Sequence, residues 1–468
     1  MFVDALLLSR IQFGFTIGFH ILFPTLTIGL AWFLVFFESR WRRTGRDHWI
    51  ELYRFWVKIF ALTFGMGVVS GLVLSYQFGT NFSRFSEMAG PVMGPLLSAE
   101  VLSAFFVEAG FLGIMLFGWS KVGPRLHFLA TLLVAVGTTN SAFWILSANS
   151  FMHTPQGAEW IDGRLVPVDW WAVVFNPSFP YRLAHMLLAS AITSALVIAG
   201  GSAWCLHRGL YRDAGLAGIK AAITALALAA PLQIAAGDLH GLNVREHQPM
   251  KVAAMEGLWE TRHGAPLLLF ALPDQAQQKN HFAIEIPKLG SIILAHDPDG
   301  EILGLDEVAP ADQPPVIPVF FGFRVMVGLG LWFLLLAALG VLTWMRGRLE
   351  RASMLRRLLM FSTPLGFVAT LAGWIVAETG RQPWTVHGMI RTADSLSPVP
   401  AASVATSLAL FVVVYGVLLA SYLYFVLALV RRGPALPTDH PEAIRGARAG
   451  ELLPANPQEV VHTTGARA

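Results

Sequence analysis

The sequence predicts an all-α polytopic membrane protein of about nine transmembrane helices in packed bundles, N-terminus outside and C-terminus inside. Three observations carry this. Of 468 residues, 55% are hydrophobic and only 13% charged, where a soluble protein carries about a quarter. Apolar stretches of about 20 residues, long enough to cross a bilayer, recur from one end of the chain to the other. Lys and Arg concentrate in alternate connections, the asymmetry that orients membrane helices. This composition excludes a disordered chain, a nucleic-acid binder and an ordinary soluble enzyme.

The spans fall near 15–37, 59–78, 98–118, 127–148, 183–206, 219–236, 318–345, 358–377 and 403–430. No basic n-region or small-residue cleavage site precedes the first, which starts after Asp4 and Arg10, so no removable signal peptide is expected. Arg40, Arg42, Arg43, Arg46, Arg346, Arg348, Arg351, Arg356, Arg357, Arg431 and Arg432 mark one face as cytoplasmic. The longest connection, 237–317, lies on the other face and carries twelve acidic against five basic residues. A connection that long is commonly functional. The chain therefore divides into spans one to six (1–236), an extracytoplasmic loop (237–317), spans seven to nine (318–430) and a polar tail (431–468) expected to be loosely ordered.

Lys and Arg exceed Asp and Glu by 33 to 30, too small an excess to imply an anionic partner. Cys205 is the only cysteine, which excludes an internal disulfide, a cysteine zinc site and a cysteine-held iron–sulfur cluster. Any metal needs other ligands.

Ionisable residues at membrane depth are costly and point to function. His20, Glu100, His185, Arg324 and Glu378 all fall in the outer half of the bilayer, and Glu108 lies deeper. Singly, each has a bland explanation: a packing histidine, a snorkelling arginine, an interfacial Glu378 paired with Arg381, a gap-filling Met326. Clustered in one layer, histidine, carboxylate and thioether groups are what a haem protein uses. Glu100 and Glu108 are separated by about 12 Å along their helix on adjacent faces, a spacing suited to a proton relay or, more plainly, to two structural hydrogen bonds.

Three strings then stand out: Gly-Trp-Ile-Val-Ala-Glu-Thr-Gly-Arg-Gln-Pro-Trp at 373–384, Phe-Arg-Val-Met-Val-Gly at 323–328 and Gln-Pro-Met-Lys-Val-Ala-Ala-Met-Glu-Gly at 248–257. With His20 and the two carboxylates, the chain from about 5 to 430 resembles subunit I of the cytochrome bd quinol oxidases. The resemblance implies that His185 and Met326 are the axial ligands of a low-spin haem b. It gives His20 and Glu378 as ligands of two high-spin haems, one b and the other d or a further b. Glu100 and Glu108 then match carboxylates on the proton route, Trp374 an aromatic between haems, and Arg324 and Arg381 groups near propionates. The outer loop resembles the family's quinol-binding loop, with Lys251 and Glu256 at matching positions. Its modest length resembles the short-loop, cyanide-insensitive branch. His387 and Met389, just past the Gly-Arg-Gln-Pro-Trp string, are not the axial pair.

The expected function is a respiratory terminal oxidase subunit in the bacterial cytoplasmic membrane, oxidising quinol outside and reducing O2 with cytoplasmic protons, without a pumping stroke. The resemblance further implies a second large membrane subunit and small single-span subunits as partners. Two rival readings fit the same buried charges: a proton-coupled secondary transporter, with Pro24 breaking a helix, and a membrane cytochrome b conduit carrying only low-spin haem.

Overall fold

The computed structural model describes residues 4–434, so the tail beyond 434 lies outside the described residues. Among the described residues, nine helical segments are long and apolar enough to cross a membrane. In order, the spans are Ala5–Thr44, Asp47–Thr80, Ser83–Phe117, Pro124–His153, Phe179–His207, Arg212–His247, Val316–Met345, Ser353–Thr379 and Ala401–Arg432. Every one overshoots its apolar window. The first has 40 residues, about 60 Å of helix against a hydrocarbon core of about 30 Å, so its ends continue as helix into the polar interface.

Prolines act differently in two spans. Pro24 sits inside the first helix without breaking it, which removes the broken helix that a transporter reading needed. In the eighth span, Pro364 separates Ser353–Ser362 from Leu365–Thr379, because it lacks the N–H that would continue the ladder.

Spans one to four pack in a closed ring, each on the next and the fourth back on the first. Spans five to eight close a second ring in the same order. The rings share a long side, with span five packed against spans one and four, and Ser190 bridges it by donating to the Thr25 carbonyl at 2.6 Å. Small polar groups of this kind let membrane helices approach closely. The ninth span lies outside both rings against the first two, where Tyr415 packs on Phe19 with ring centroids 4.3 Å apart.

The long loop is ordered. Pro249–Glu256 is helical, and Leu267–Asp274 pairs antiparallel with Lys279–Ile286. Val252, Ala253, Leu258, Leu268 and Leu305 bury against Val319, Phe320 and Val376 from the seventh and eighth spans. The loop is thus seated on the second ring by apolar burial.

Candidate functional site

His20 is half-buried in the first span. Its Nδ1 lies 2.9 Å from Ser70 Oγ on the second span, and that hydroxyl donates to the Met66 carbonyl at 2.8 Å. The hydroxyl hydrogen is therefore committed, and Ser70 accepts from Nδ1–H. Nε2 is left with a free lone pair, the form that binds a metal.

His185 lies on the fifth span, its Nε2 3.1 Å from the Gln233 amide nitrogen and its buried Nδ1 without a partner. Met326 lies on the seventh span. Each of these three side chains faces a glycine on a neighbouring helix. A methyl built on Gly71 would lie 3.1 Å from His20 Cε1, one on Gly237 3.4 Å from His185 Cε1, and one on Gly373 2.8 Å from Met326 Sδ. The glycines keep space beside the imidazoles and thioether that a Cβ would fill.

Glu378 has both oxygens engaged. Oε1 accepts from Asn149 at 2.8 Å and lies 3.2 Å from His153 Nε2, and Oε2 pairs with Arg381 at 2.6 Å. Arg381 also donates to the Trp384 carbonyl at 3.2 Å and leaves Nη1 buried with no partner. Arg182 Nε and His240 Nε2 are likewise buried and unpartnered. Buried donors are almost always satisfied, so these unsatisfied donors suit a group with anionic edges. Neutral histidines, a thioether, glycine-lined space and free cationic donors together fit haem. Trp374 is half-buried one turn before Glu378.

Glu100 and Glu108 differ from expectation. A wide π turn at Val101–Phe105 separates them. In a regular helix eight residues leave an offset of about 80°, but hydrogen bonds spanning five residues unwind this stretch. Both carboxylates turn to one surface of the fourth span: Glu100 accepts from Ser141 at 2.7 Å, and Glu108 packs on Gly137, one turn away. Glu108 is 6% exposed and its Oε1 has no partner.

Lys251 and Glu256 both point into the protein. Lys251, 2% exposed, donates to Gln248 Oε1 at 2.6 Å and to His153 Nδ1 at 3.0 Å. Burial, reinforced by Arg182 and Arg381, holds its pKa well below the usual lysine range. Glu256 pairs with Arg324 at 3.3 Å; burial raises its pKa and Arg324 opposes that. Arg324 spends its remaining donors on the Leu268 carbonyl, at 2.9 and 2.6 Å, and on the Met255 carbonyl. Its guanidinium thus fastens the loop to the seventh span. His387 is half-buried beside these charges, and Met389 is exposed.

Sequence reasoning missed Asn149, His153 and Arg182. Each lies one to five residues beyond an apolar window, where the helix continues past the hydrophobic stretch. Extending the search for polar residues by a turn and a half past each window would have found them.

The family model described as cytochrome bd terminal oxidase subunit I matches residues 8–434. Among curated proteins, the chain is 32% identical to cytochrome bd-II ubiquinol oxidase subunit 1 of Escherichia coli, covering 95% of this chain and 100% of that one. It is 35% identical to cytochrome bd ubiquinol oxidase subunit 1 of Bacillus subtilis, over 94% and 96%. The solved bd oxidase from Geobacillus thermodenitrificans superimposes with a TM-score of 0.85 at 33% identity, covering 92% of this chain and 99% of that one. The chain therefore belongs to the cytochrome bd terminal oxidase subunit I family, and is a haem-containing oxidase subunit of the bacterial cytoplasmic membrane.

Proposed function

We propose that this subunit oxidises quinol at the outer membrane face and reduces O2 to water with protons taken from the cytoplasm. The family makes it a quinol:oxygen oxidoreductase; the residue roles and sidedness are our reading. The observation that carries it is the set of candidate ligands on separate spans, with His20, His185 and Met326 each beside a glycine.

His185 and Met326 would hold a low-spin haem b, a closed pair suited to electron transfer. His20 and Glu378 would each hold a high-spin haem, one b and the other d or a further b. When bound, these groups supply one-electron transfer and O2 reduction. The protein's share is positional. Ser70 fixes the His20 tautomer, Asn149 and Arg381 hold Glu378, and Arg381 offers its free Nη1 to a propionate. Trp374, half-buried one turn before Glu378, would be the aromatic between haems. Glu108 and Glu100, on one face of a widened helix, pass protons outward along the fourth span.

Quinol would bind at the loop. A cavity of about 510 Å³, lined by Leu242, Arg245, Glu246, Pro249, Val252 and Glu301 among others, is within the range for small-molecule sites. It adjoins the helix that carries Lys251 and Glu256. We place the chain in the short-loop branch on the modest length of the 237–317 loop. With quinol oxidised outside and protons taken up inside, a gradient forms without a pumping stroke. The third and ninth spans, the least buried of the described spans, offer faces for a second large membrane subunit and small single-span subunits.

The ligand assignment is tested by Met326→Leu and His20→Ala in purified enzyme. The first should lose the low-spin absorption and the second a high-spin feature. Full spectra in both would refute it.

A further inference from the structure

His153 ends the fourth span, is 0% exposed, and touches both the loop and the proposed haem carboxylate. Its Nε2 lies 3.2 Å from Glu378 Oε1 and its Nδ1 3.0 Å from Lys251 Nζ. The chemistry of the neighbours fixes its tautomer. Glu378, already accepting from Asn149 and paired with Arg381, can only accept, so Nε2 carries the hydrogen. Nδ1 then keeps its lone pair, which Lys251 Nζ fills at 3.0 Å, while Gln248 Oε1, 3.3 Å from the same nitrogen, accepts from Lys251 at 2.6 Å instead. Gln248, Lys251, His153, Glu378 and Arg381 thus form one continuous chain of polar contacts from the loop helix to the membrane carboxylate.

We propose that His153 is a positioning residue that keys the loop helix to Glu378, so that a change at the loop is felt at the Glu378 carboxylate through one imidazole of fixed tautomer. This rests on the reading above, in which the loop takes quinol and Glu378 holds a high-spin haem. Glutamine can replace the ring at both ends, its carbonyl accepting from Lys251 and its amide donating to Glu378. Leucine can do neither.

The test compares H153L, H153Q, K251M and the double variant K251M/H153L in the intact detergent-extracted oxidase. It reads the high-spin absorption and midpoint potential, the KM for a short-tailed quinol, and the low-spin band as a control for folding. H153L should move the high-spin band or its potential and raise the quinol KM several-fold, with the low-spin band retained. H153Q should restore both. K251M should also shift the high-spin feature, and that shift should largely vanish once His153 is leucine. Wild-type values in H153L, a K251M shift that is the same with and without His153, or an H153Q as impaired as H153L would each overturn the proposal. If H153L loses the low-spin band as well, K251M alone decides, and the absence of any effect on the high-spin feature overturns it. Glu378→Gln keeps the two readings apart: an unchanged high-spin signal there removes the ligand assignment, not the contact through His153.

Discussion

Replacing Gly373 with alanine tests the proposed Met326 ligand without touching the sulfur's chemistry. The new methyl would lie 2.8 Å from Met326 Sδ, while unbonded heavy atoms settle at about 3.5–4.0 Å. The sulfur must therefore retreat by about 1 Å. Met326 is unbranched and flexible, so the stability cost should sit near the low end of the overpacking range of about 1–3 kcal/mol. Coordination tolerates far less displacement than packing does. The low-spin absorption should therefore fall sharply in a protein that still folds and extracts normally. The other two glycines grade the effect, with 3.1 Å from Gly71 to His20 and an ordinary contact of 3.4 Å from Gly237 to His185. The expected order of haem perturbation is Gly373→Ala, then Gly71→Ala, then Gly237→Ala, read by difference spectra at matched protein. A full low-spin signal in Gly373→Ala, or a Gly237→Ala loss as large as that of Gly373→Ala, would refute the reasoning.

Ser70→Ala removes the acceptor of His20 Nδ1–H and should weaken haem retention at that site by about 10–100-fold, measured as high-spin haem lost on washing. Arg324→Met strands Glu256 as an unpaired buried charge; breaking such a pair costs about 3–5 kcal/mol. Limited proteolysis should then cut between 257 and 315 much faster than in wild type. The pKa of His387 is pushed down to about 4, by burial first and then by Lys251 and Arg381. Between its ordinary 6.5 and that value the unfolded chain binds the proton and the fold does not, so stability is lost as pH falls through this window. His387→Gln should flatten that part of the melting-temperature profile; an unchanged slope would contradict it.

Much of this was legible in the sequence for a physical reason. A bilayer imposes a minimum apolar length and makes buried charge expensive, so the spans, and the ionisable His20, His185, Arg324 and Glu378 within them, stand out by composition alone. The internal geometry of the spans was less legible. Nothing in the string Val-Leu-Ser-Ala-Phe announces the π turn that brings Glu100 and Glu108 to one face, where they meet Ser141 and Gly137 of the fourth span. Polar residues past the apolar windows, such as His153 and Arg182, escaped a search guided by hydropathy. Lys251 and Glu256 were read as loop residues, and the structure buries both because the loop helix packs on the seventh span. Hydropathy shows where a helix crosses the membrane, and it is silent on which way a loop side chain turns.

The central claim is that side chains from separate spans grip haem iron near the outer boundary, with at least one iron open to a gaseous ligand. The most direct measurement is a reduced-minus-oxidised absorption spectrum of the detergent-extracted wild-type protein, repeated after adding carbon monoxide. Both low-spin and high-spin bands are predicted, with carbon monoxide shifting only the high-spin features. A colourless protein, or haem bands indifferent to carbon monoxide, would contradict the account.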